Sequence, residues 1–515
     1  MPRRLVIGLV GAVAAVALVS GFSPVTHSAA PPVEPPHPTA TQGPMAASTH
    51  PSGGQHRTRP NIVLITTDDE ADSDMRWMPR TRRLLGDAGV TFTDSVSPHP
   101  LCCPARAEIL TGQFAQNNGV RTNEGHPHGG YRAMNSYRDT IGPWLQKAGY
   151  HTAFIGKFLN GYRSKSRRIP GWNEWHPLLE DRGAYQYYDF STRDNKVIHH
   201  HPHVHVSDYL AGETARLVRK FAARRQPFFL WQAHVAPHSA CVPNGGPSCW
   251  GPPVPARRHA GLFRTVQPPS FRDPAFLEQD VSDKPAYLTG LSTSQQRREE
   301  LQLNFTRRIQ ALQSVDQAVA RTIRVLRATG QLRNTVVLFT SDNGFSLGEH
   351  RWKGKDVPYE QALQVPLIVR GPGLPRGVTR DDTVATVDLA PTFVDVADAR
   401  PTVPLDGRSL LPLARHNAAE GWQDLLIQDG PRLGEPDSVG WSYRGVRTQR
   451  YTYVEYSRYG VELYDRRRDP HELTNVAGDP AYRAVQRELQ GRTQVLKHCS
   501  GKGCRQDFGP VPPVG

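Results

Sequence analysis

The stretch Asn61–Asp69, NIVLITTDD, decides the fold class of this chain. Its apolar run lacks the polar and apolar alternation of a half-exposed strand, which is typical of a strand buried on both faces. The pattern recurs at Pro227–Ala233 and Thr335–Thr340, with segments of helical periodicity between. Alternating strands and helices indicate a parallel sheet. We therefore predict an α/β fold with a large, mainly parallel sheet flanked by helices.

Polar side chains follow each of these three strands. Because the carboxyl ends of parallel strands meet at one edge of a sheet, we expect these side chains to lie together. A single such pair usually caps a helix or forms a turn, but the recurrence after three buried strands favours a site for a hard cation such as Ca²⁺ or Mg²⁺. The oxygen donors are Asp68, Asp69, Asp342 and Asn343, and the histidines after the second strand are His234 and His238.

The segment Ser97–Gly119, SPHPLCCPARAEILTGQFAQNNG, holds two adjacent cysteines at a predicted helix start. A helix N-terminus and the guanidinium of Arg106 both stabilise negative charge. A buried structural cysteine is nevertheless the simpler interpretation of the tripeptide Cys102–Pro104, CCP, taken alone. The other four cysteines bracket two short loops that disulfides could close: Cys241 with Cys249, and Cys499 with Cys504. That leaves Cys102 and Cys103, which cannot easily bridge each other, for another use.

Composition limits the class of protein. The chain has 515 residues, a net charge of +14, and 45 glycines and 45 prolines, which is more turn-forming residue than a helical bundle carries. The sequence contains no zinc-finger spacing, RNP-like strand or basic zipper, so we expect no nucleic-acid partner. The basic charge is either scattered over the surface or gathered on a face that attracts polyanions, and the sequence leaves both open.

The N-terminus has the pattern of a secretory signal. Two arginines precede an apolar run from Leu5 to Phe22, and small residues follow near Ala30. We predict a signal peptide over residues 1–30 and a disordered, Pro/Ala/Thr-rich linker over 31–58. The expected location is secreted, with an N-terminal membrane anchor as the alternative, and no other membrane contact is expected.

Two domains are predicted after the linker. Residues 59–415 form the main α/β domain. Residues 416–515 form a smaller α+β domain, because short apolar and polar segments alternate over Asp424–Glu455 as in antiparallel strands, and a helix closes the chain over Pro480–Lys497.

The motifs resemble those of the type I, formylglycine-dependent sulfatases. Cys102–Arg106, CCPAR, followed by Leu110–Gly112, LTG, looks like the C-x-P-[SA]-R…L-T-G signature of that family. The resemblance covers most of the chain after residue 60, and the paired cysteines and Gly156–Tyr162, GKFLNGY, look most like the N-acetylglucosamine-6-sulfatase and heparan 6-sulfatase branch. Further similar segments are Gly171–Trp175, Ala236–His238, Ser341–Gly344, Leu347–His350, Lys355, Tyr359–Glu360, Leu405–Leu410 and Glu462–Asn475.

The resemblance implies an alkaline-phosphatase-like sulfatase fold, and conversion of Cys102 to Cα-formylglycine by a formylglycine-generating enzyme. It implies Ca²⁺, with Mg²⁺ possible, held by Asp68, Asp69, residue 102, Asp342 and Asn343. Its catalytic residues would be Cys102, Arg106, Lys157, His238 and Lys355. In such enzymes one hydroxyl of the aldehyde hydrate attacks sulfur and the second expels the sulfate, which gives covalent catalysis its own release step. Arg106 and Lys157 would hold the hydrate and sulfate, and His238 and Lys355 would bind sulfate and protonate the leaving alkoxide.

One position departs from the family. Many members have Lys-x-His where this chain has Lys157 and Leu159, so the base for the release step stays open between Asn160, His234 and another group. We favour a core role for His234 and a packing role for Cys103. The histidines of segment 199–205 could bind a surface metal, but we expect a solvated loop.

These observations predict a secreted sulfuric ester hydrolase that acts on sulfated sugars resembling glucosamine-6-sulfate, as found in glycosaminoglycans, or on aryl sulfates. The alternatives are an arylsulfatase of broad specificity, a phosphatase or phosphonate monoester hydrolase of the same superfamily, and a non-catalytic polyanion-binding protein. Substrate choice would lie in the loops 160–205 and 240–290, whose pattern predicts no regular structure.

Overall fold

A large sheet carries the three predicted strands. The computed structural model describes residues 59–125, 127–241, 251–415, 420–432 and 440–515. The strands are β1 (Asn61–Thr67), β2 (Val90–Val96), β3 (His151–Gly156), β4 (Glu174–Pro177), β5 (Phe190–Asp194), β6 (Val197–His201), β7 (Phe228–Ala233), β8 (Thr335–Ser341), β9 (Ser346–Leu347), β10 (Lys353–Gly354), β11 (Leu367–Arg370), β12 (Val378–Ala385), β13 (Leu425–Asp429), β14 (Tyr443–Arg447), β15 (Tyr451–Tyr456) and β16 (Val461–Asp465).

Helices cover both faces of this sheet. They are α1 (Pro79–Thr81), α2 (Cys102–Thr111), α3 (Ala115–Asn118), α4 (Ile141–Lys147), α5 (Val206–Ala222), α6 (Ala286–Thr289), α7 (Gln295–Ala328), α8 (Glu360–Leu363), α9 (Leu389–Ala397), α10 (Leu411–Arg415) and α11 (Arg483–Leu496). α1 continues into a π-helical turn over Arg82–Gly86. Among the described residues, no helix is long and apolar enough to cross a membrane.

The large sheet has the strand order β12-β2-β11-β8-β1-β7-β3-β4. Every neighbouring pair is parallel except the two that involve β11, which runs antiparallel to β2 and β8. The predicted mainly parallel α/β sheet is therefore confirmed. In the register, Thr66 of β1 lies beside Ala233 of β7 and Thr340 of β8. The three polar strand ends consequently emerge at the same level.

Side chains of β1 alternate between two cores, as they must in a strand covered on both faces. Ile62 and Leu64 pack into the core that includes α2, α4 and α9, whereas Val63 and Ile65 pack into the core that includes α5 and α7. Every residue of this strand is buried. Packing on both faces therefore fixes the position of its carboxyl end.

A second, four-stranded antiparallel sheet lies near the C-terminus in the order β13-β14-β15-β16. α11 packs Val485, Leu489 and Leu496 into the core of this sheet. The predicted C-terminal α+β architecture is confirmed. The described residues from Arg59 onward belong to one compact unit, and a domain boundary near residue 415 stays a prediction.

The cysteines follow the predicted division as far as the structure describes them. Cys499 and Cys504 form a disulfide, and Cys102 and Cys103 are free thiols. Cys241 is disulfide-bonded, and Cys249, its predicted partner, lies outside the described residues. The predicted signal peptide and linker, 1–30 and 31–58, also lie outside them.

The histidine-rich segment is a strand instead of the expected loop. His199–His201 belongs to β6, which pairs antiparallel with β5. The expectation of a loop was wrong because β5 supplies a partner strand that a polar, histidine-rich sequence does not announce. The solvated character was correct, since Val197–His200 is exposed.

Candidate active site

Cys102 is the first residue of α2, where the positive end of the helix dipole lies. Leu101 precedes it with extended backbone, and Gly112 in the left-handed region (φ 65°) ends the helix. Every residue of α2 is buried, and Cys102 has no exposed surface. The thiol therefore projects from a rigid helix into the edge of the large sheet.

The strand ends of β1 and β8 bring three carboxylates and one amide next to this thiol. Cys102 Sγ lies 3.3 Å from Asp68 Oδ1 and 3.9 Å from Asp69 Oδ1. Asn343 Nδ2 donates to Asp69 Oδ1 at 2.8 Å, and the Asp69 backbone N–H donates to Asp342 Oδ1 at 3.2 Å. All four oxygen-bearing side chains are buried. The predicted oxygen donors thus converge.

Three cations surround the carboxylates. Lys157, directly after β3, pairs with Asp68, and Lys355 pairs with Asp69. Lys355 Nζ also lies 2.6 Å from Cys102 Sγ. Arg106, one turn along α2 from Cys102, donates from Nε to Asp342 Oδ2 at 2.7 Å, and from Nη1 to the backbone oxygen of Lys157 at 2.8 Å.

His238 completes the group from the loop after β7, beyond the cis peptide bond between Ala236 and Pro237. Its Nδ1 lies 2.7 Å from the backbone oxygen of Ser239, so Nδ1 carries a proton and Nε2 faces the site. Nε2 lies 3.7 Å from Asp69 Oδ2. The ring packs on Tyr185, with 4.8 Å between ring centroids.

Burial and opposite charges set the protonation of the carboxylates. Burial by itself would raise the pKa of Asp68 and Asp69, but the neighbouring cations hold both pKa values below their usual range, with Lys157 dominant at Asp68 and Lys355 at Asp69. Burial and the charge of Asp68 raise the pKa of Asp342 to about 6. The carboxylates of Asp68 and Asp69 are therefore ionised although they are buried.

The pKa values of the three proton-bearing groups of the site shift in different directions. Burial raises the pKa of the Cys102 thiol well above its usual value. Burial lowers the pKa of His238 to about 4, so the imidazole is neutral at pH 7. Burial would lower the pKa of Lys355, but Asp69 and Cys102 raise it well above its usual value. Lys355 is thus a permanent cation, whereas His238 is a neutral ring beside it.

The donor set fits a hard divalent cation. Asp68, Asp69, Cys102 and His238 each place a ligand atom within 4.8 Å of the others. Asn343 Oδ1 is buried and has no hydrogen-bond partner, which leaves one oxygen of the group unsatisfied. Carboxylate and amide oxygens suit Ca²⁺ or Mg²⁺. Asp68, Asp69, Asp342 and Asn343 are the residues that could hold such an ion.

A cavity of about 360 Å³ opens on this group. Asp69, His238 and Lys355 lie at one side of it, and the remaining walls come from loops. One wall residue, Asp356, has a φ of 68° and a buried Oδ1 without a hydrogen-bond partner. Other wall residues include Glu124, Asn160, Glu180, Tyr185, Trp352 and Arg432.

The other positions considered in the sequence lie either in the wall of this cavity or in the hydrophobic core. Asn160 lines the cavity and donates from Nδ2 to the Tyr185 hydroxyl at 3.2 Å, which in turn donates to Glu180 Oε1 at 3.0 Å. Leu159 and Cys103, the second residue of α2, are buried in the same core. His234 is also fully buried, and neither ring nitrogen has a hydrogen-bond partner.

Several residues of the site were missed by the sequence analysis. Tyr185 and Glu180 lie in a segment without periodicity, so no signal was available. Asp356 directly follows Lys355, and that adjacency could have marked it. Arg308 lies in α7 and donates to the backbone oxygen of Asp69 and, at 2.9 Å, to Asp74. The sequence did hold a signal for Arg308, because it lies between Phe305 and Leu312 on an otherwise apolar helix face.

Comparison with known families gives two matches. The family model named Sulfatase matches residues 60–399. A second, described as the C-terminal part of N-sulphoglucosamine sulphohydrolase, matches residues 348–498.

Named relatives and solved structures agree with these matches. A putative extracellular sulfatase Sulf-1 homolog of Caenorhabditis elegans is 34% identical over 395 residues, which cover 72% of this chain and 53% of that protein. The chain thus spans about half the length of that relative. Human N-acetylglucosamine-6-sulfatase is 30% identical and covers 87% of this chain and 86% of its own length. A protein solved with its substrate D-glucosamine-2-N,6-O-disulfate superposes with a TM-score of 0.70 at 23% identity, covering 85% of this chain and 98% of its own.

Proposed function

The chain belongs to the sulfatase family, and from this we propose that it is a secreted sulfuric ester hydrolase that removes sulfate from sugars resembling glucosamine-6-sulfate. The observation that carries the proposal is the surrounding of Cys102. A free, buried thiol at a helix start contacts Asp68 and Lys355 among converging carboxylates and cations. The names of the human relative and of the solved complex support the choice of substrate.

Residue 102 is the proposed position of Cα-formylglycine, formed by a formylglycine-generating enzyme. This group supplies a geminal diol, one hydroxyl of which attacks sulfur while the other releases sulfate. The carboxylate oxygens of Asp68 and Asp69 lie 3.3 and 3.9 Å from Cys102 Sγ and offer hydrogen-bond acceptors at this position, which supports the proposal. Cys103 is buried in the core and takes no part.

A sulfate anion needs compensating positive charge, and the chain provides it from three directions. Lys157 and Lys355 flank residue 102, and the Arg106 guanidinium lies behind it, with Nη2 making no hydrogen bond and lying 3.9 Å from Asp68 Oδ2. We propose that both lysines bind sulfate oxygens and that Arg106 fixes Asp342 and the backbone of Lys157. Burial makes these charges act through a low dielectric, which strengthens them.

His238 is the proposed proton donor to the leaving alkoxide, with Lys355 beside it. Ser239 fixes the ring through Nδ1, so a proton on Nε2 points into the site. Because burial lowers the pKa of His238 to about 4, the negative charge of bound sulfate would be needed to raise it and bring a second proton to the ring. General acid catalysis of this kind contributes about 10²–10⁴-fold in rate.

A divalent cation, Ca²⁺ or Mg²⁺, would be held by Asp68, Asp69, Asp342 and Asn343 and would polarise sulfate oxygens as a Lewis acid.

The base for the release step is not Leu159, which is apolar and in the core. In the cavity wall, Asn160, Tyr185 and Glu180 are joined by a chain of hydrogen bonds. Burial raises the pKa of Glu180 to about 7, which suits a proton acceptor at neutral pH. We propose this wall for the role.

Mass spectrometry and paired substrates test the proposal. The tryptic peptide of residues 84–106 should contain an aldehyde in place of the Cys102 thiol. The purified protein should release sulfate from glucosamine-6-sulfate and from 4-nitrophenyl sulfate faster than phosphate from 4-nitrophenyl phosphate. Cys102→Ala should abolish release, with Cys103→Ala as the matched control. Active protein with an unmodified thiol, or faster phosphate release, would contradict the proposal.

A further inference from the structure

The loop between β3 and β4 carries a basic segment, Arg163–Arg168, with the sequence RSKSRR. It contains four cations in six residues and no acid. The loop is anchored by Tyr162, Ser166 and Ile169, which are buried, while the cations between them are exposed. Trp175 donates to the Tyr162 hydroxyl at 2.9 Å and fixes this loop to the large sheet. The charges are thus presented to solvent from an ordered backbone.

This segment lines a cavity of about 330 Å³ that adjoins the active-site cavity. The two cavities share Glu124 and Asn160 as wall residues. Arg132, Arg163 and Lys165 contribute cations to the second cavity. We call this second cavity the basic subsite; it is lined by residues 124–125, 129–132, 160–161, 163, 165–166 and 181. It continues the active-site cavity along the surface.

The cations of the basic subsite are only partly neutralised. Arg163 pairs with Glu124 at 2.7 Å, but both side chains are more than two-fifths exposed, so the pair is weak. Asp181, the second acid of the lining, accepts a hydrogen bond from the backbone N–H of Ser164 at 2.8 Å, so three cations and two carboxylates line the subsite. Among the described residues, Lys165 and Arg132 form no ion pair. The Arg193 guanidinium, which donates to the backbone oxygen of Ser164, adds further positive charge.

We propose that the basic subsite binds an anionic group, a sulfate or a carboxylate, on the sugar unit next to the one that loses its sulfate. The inference rests on the proposed function and extends it from a sulfated sugar to an anionic oligosaccharide. Clustered cations next to a cleft raise the local concentration of a polyanion and orient it. Part of the net charge of +14 would then lie on a face that attracts polyanions, which is one of the two distributions of charge that the composition allows.

Chain length and charge test the subsite. The substrates are a 6-sulfated glucosamine monosaccharide, a tetrasaccharide with the same terminal unit and carboxylates on its neighbours, and the same tetrasaccharide with those carboxylates reduced to alcohols. We expect the wild-type kcat/KM to be highest for the charged tetrasaccharide. Arg132→Gln/Lys165→Gln should reduce the ratio of charged tetrasaccharide to monosaccharide about tenfold, and 0.5 M salt should reduce the wild-type ratio in the same way.

A matched control removes the same charge elsewhere. Arg487→Gln/Lys502→Gln changes two exposed cations of the C-terminal region and should keep the wild-type ratio. Equal ratios in the two double variants, or no preference of the wild type for the charged tetrasaccharide over the reduced one, would overturn the proposal.

A binding measurement separates the subsite from the catalytic proposal. In a Cys102→Ala background, calorimetry should show that Arg132→Gln/Lys165→Gln weakens binding of the charged tetrasaccharide about tenfold and leaves the reduced one little changed. If formylglycine-containing protein turns over neither substrate, the proposed function fails. The binding result then still supports the subsite if the loss is selective for charge, and overturns it if the loss is absent.

Discussion

Asp69 is held by contacts from several elements of the site. Its carboxylate contacts Lys355 and Asn343, its N–H donates to Asp342, and its backbone oxygen accepts from Arg308. Its φ of 69° places a non-glycine residue in the left-handed region, which costs about 1–2 kcal/mol. The surrounding contacts hold this conformation, and strain of this kind is typical of functional sites.

Arg106→Lys should damage the site although it keeps the charge. The guanidinium bonds Asp342 and the backbone of Lys157 at once, and a lysine has a single nitrogen that cannot reach both. We expect the free energy of unfolding to fall by about 1–3 kcal/mol and sulfate release to fall more than tenfold. Urea denaturation and a sulfatase assay measure the two effects. Arg333→Lys, at an exposed position, is the control, and unchanged values for Arg106→Lys would contradict the prediction.

Calcium should stabilise the protein through the carboxylate group. An ion that binds only the folded state at 100 times its Kd adds about 2.7 kcal/mol of stability. After chelation, Ca²⁺ should therefore raise Tm, and Asn343→Leu should abolish most of this increase because it removes the unsatisfied Oδ1. Differential scanning fluorimetry with and without Ca²⁺ gives the shift. Asn135→Leu, an exposed control, should keep it, and a full shift in Asn343→Leu would argue against the site.

How far the site could be predicted depends on how each residue is positioned. Asp68, Asp69, Asp342 and Asn343 follow buried strands, so a rule of sheet topology places them together. Tyr185, Glu180 and Asp356 come from loops, whose course depends on packing between distant segments and leaves no periodic signal. The carboxylate cluster at the sheet edge was therefore predictable, whereas the loop residues that line the cavity were not.

Strand β3 shows how one element sets the position of Lys157. Glycines with positive φ flank it, Gly149 at 88° and Gly156 at 109°. A Cβ on Gly156 would lie 1.9 Å from the backbone oxygen of Ala233 in β7, whereas a Cβ on Gly149 would meet nothing within 4 Å. The close approach of β3 and β7 thus requires glycine directly before Lys157.

The two glycines give a matched pair of variants. Gly149→Ala should cost about 1 kcal/mol of unfolding free energy, from the left-handed backbone alone. Gly156→Ala should cost several times more, because the strand or its neighbour must shift, and should lose activity with the displacement of Lys157. Urea denaturation ranks them, and equal costs would show that the clash relaxes.

His176 links β4, β5 and α5 through acids. Nδ1 lies 3.1 Å from Asp194 and 3.6 Å from Glu213, and Nε2 lies 3.3 Å from Glu174. Burial lowers the pKa of His176, but the hydrogen bonds to Asp194 and Glu174 outweigh it, so the folded-state pKa lies above the usual value.

Stability from His176 should therefore depend on pH. Because the folded pKa exceeds the unfolded value near 6.5, the contribution is fully present below about pH 6.5 and is lost as the pH rises through the folded pKa. Denaturation of the wild type and His176→Gln from pH 5.5 to 9 should show a difference that shrinks as the pH rises. His200→Gln, at an exposed ring, is measured beside it as the control for removal of an imidazole. A constant difference for His176→Gln would refute the linkage.

At the scale of elements, the buried strands were predictable because an unbroken apolar run has few other interpretations. The direction of β11 was not, since a four-residue strand with short connections can pair either way. β6 was missed because three consecutive histidines match no strand pattern, and only β5 provides the hydrogen bonds that make it a strand.

Over the whole molecule, the two sheets are joined by a buried arginine. Arg447 at the end of β14 pairs with Asp94 in β2 at 2.6 Å and with Glu360 in α8 at 2.7 Å. Burial by itself would lower the pKa of Arg447, but the two acids raise it above its usual range. Removing one partner of such a buried network costs about 3–5 kcal/mol.

We accordingly expect residues 59–415 and 416–515 to unfold together. Calorimetry should show one transition for the wild type, and Arg447→Met should lower its Tm without splitting it if other contacts suffice to couple the sheets. Arg450→Met, whose partner Asp465 lies within the same small sheet, is the control and should lower Tm less. Two transitions in the wild type would support independent domains at the predicted boundary.

The complete burial of Cys102 has a consequence for any preparation of this protein. A thiol with no exposed surface on a helix in the core is out of reach of a modifying enzyme once the chain has folded. Under the proposed chemistry, the fraction of active molecules is then decided during synthesis and cannot be corrected afterwards. Two batches with identical Tm could differ severalfold in specific activity, and neither refolding conditions nor added metal would bring them together. The aldehyde content of the peptide, rather than protein concentration, is the proper denominator for kcat.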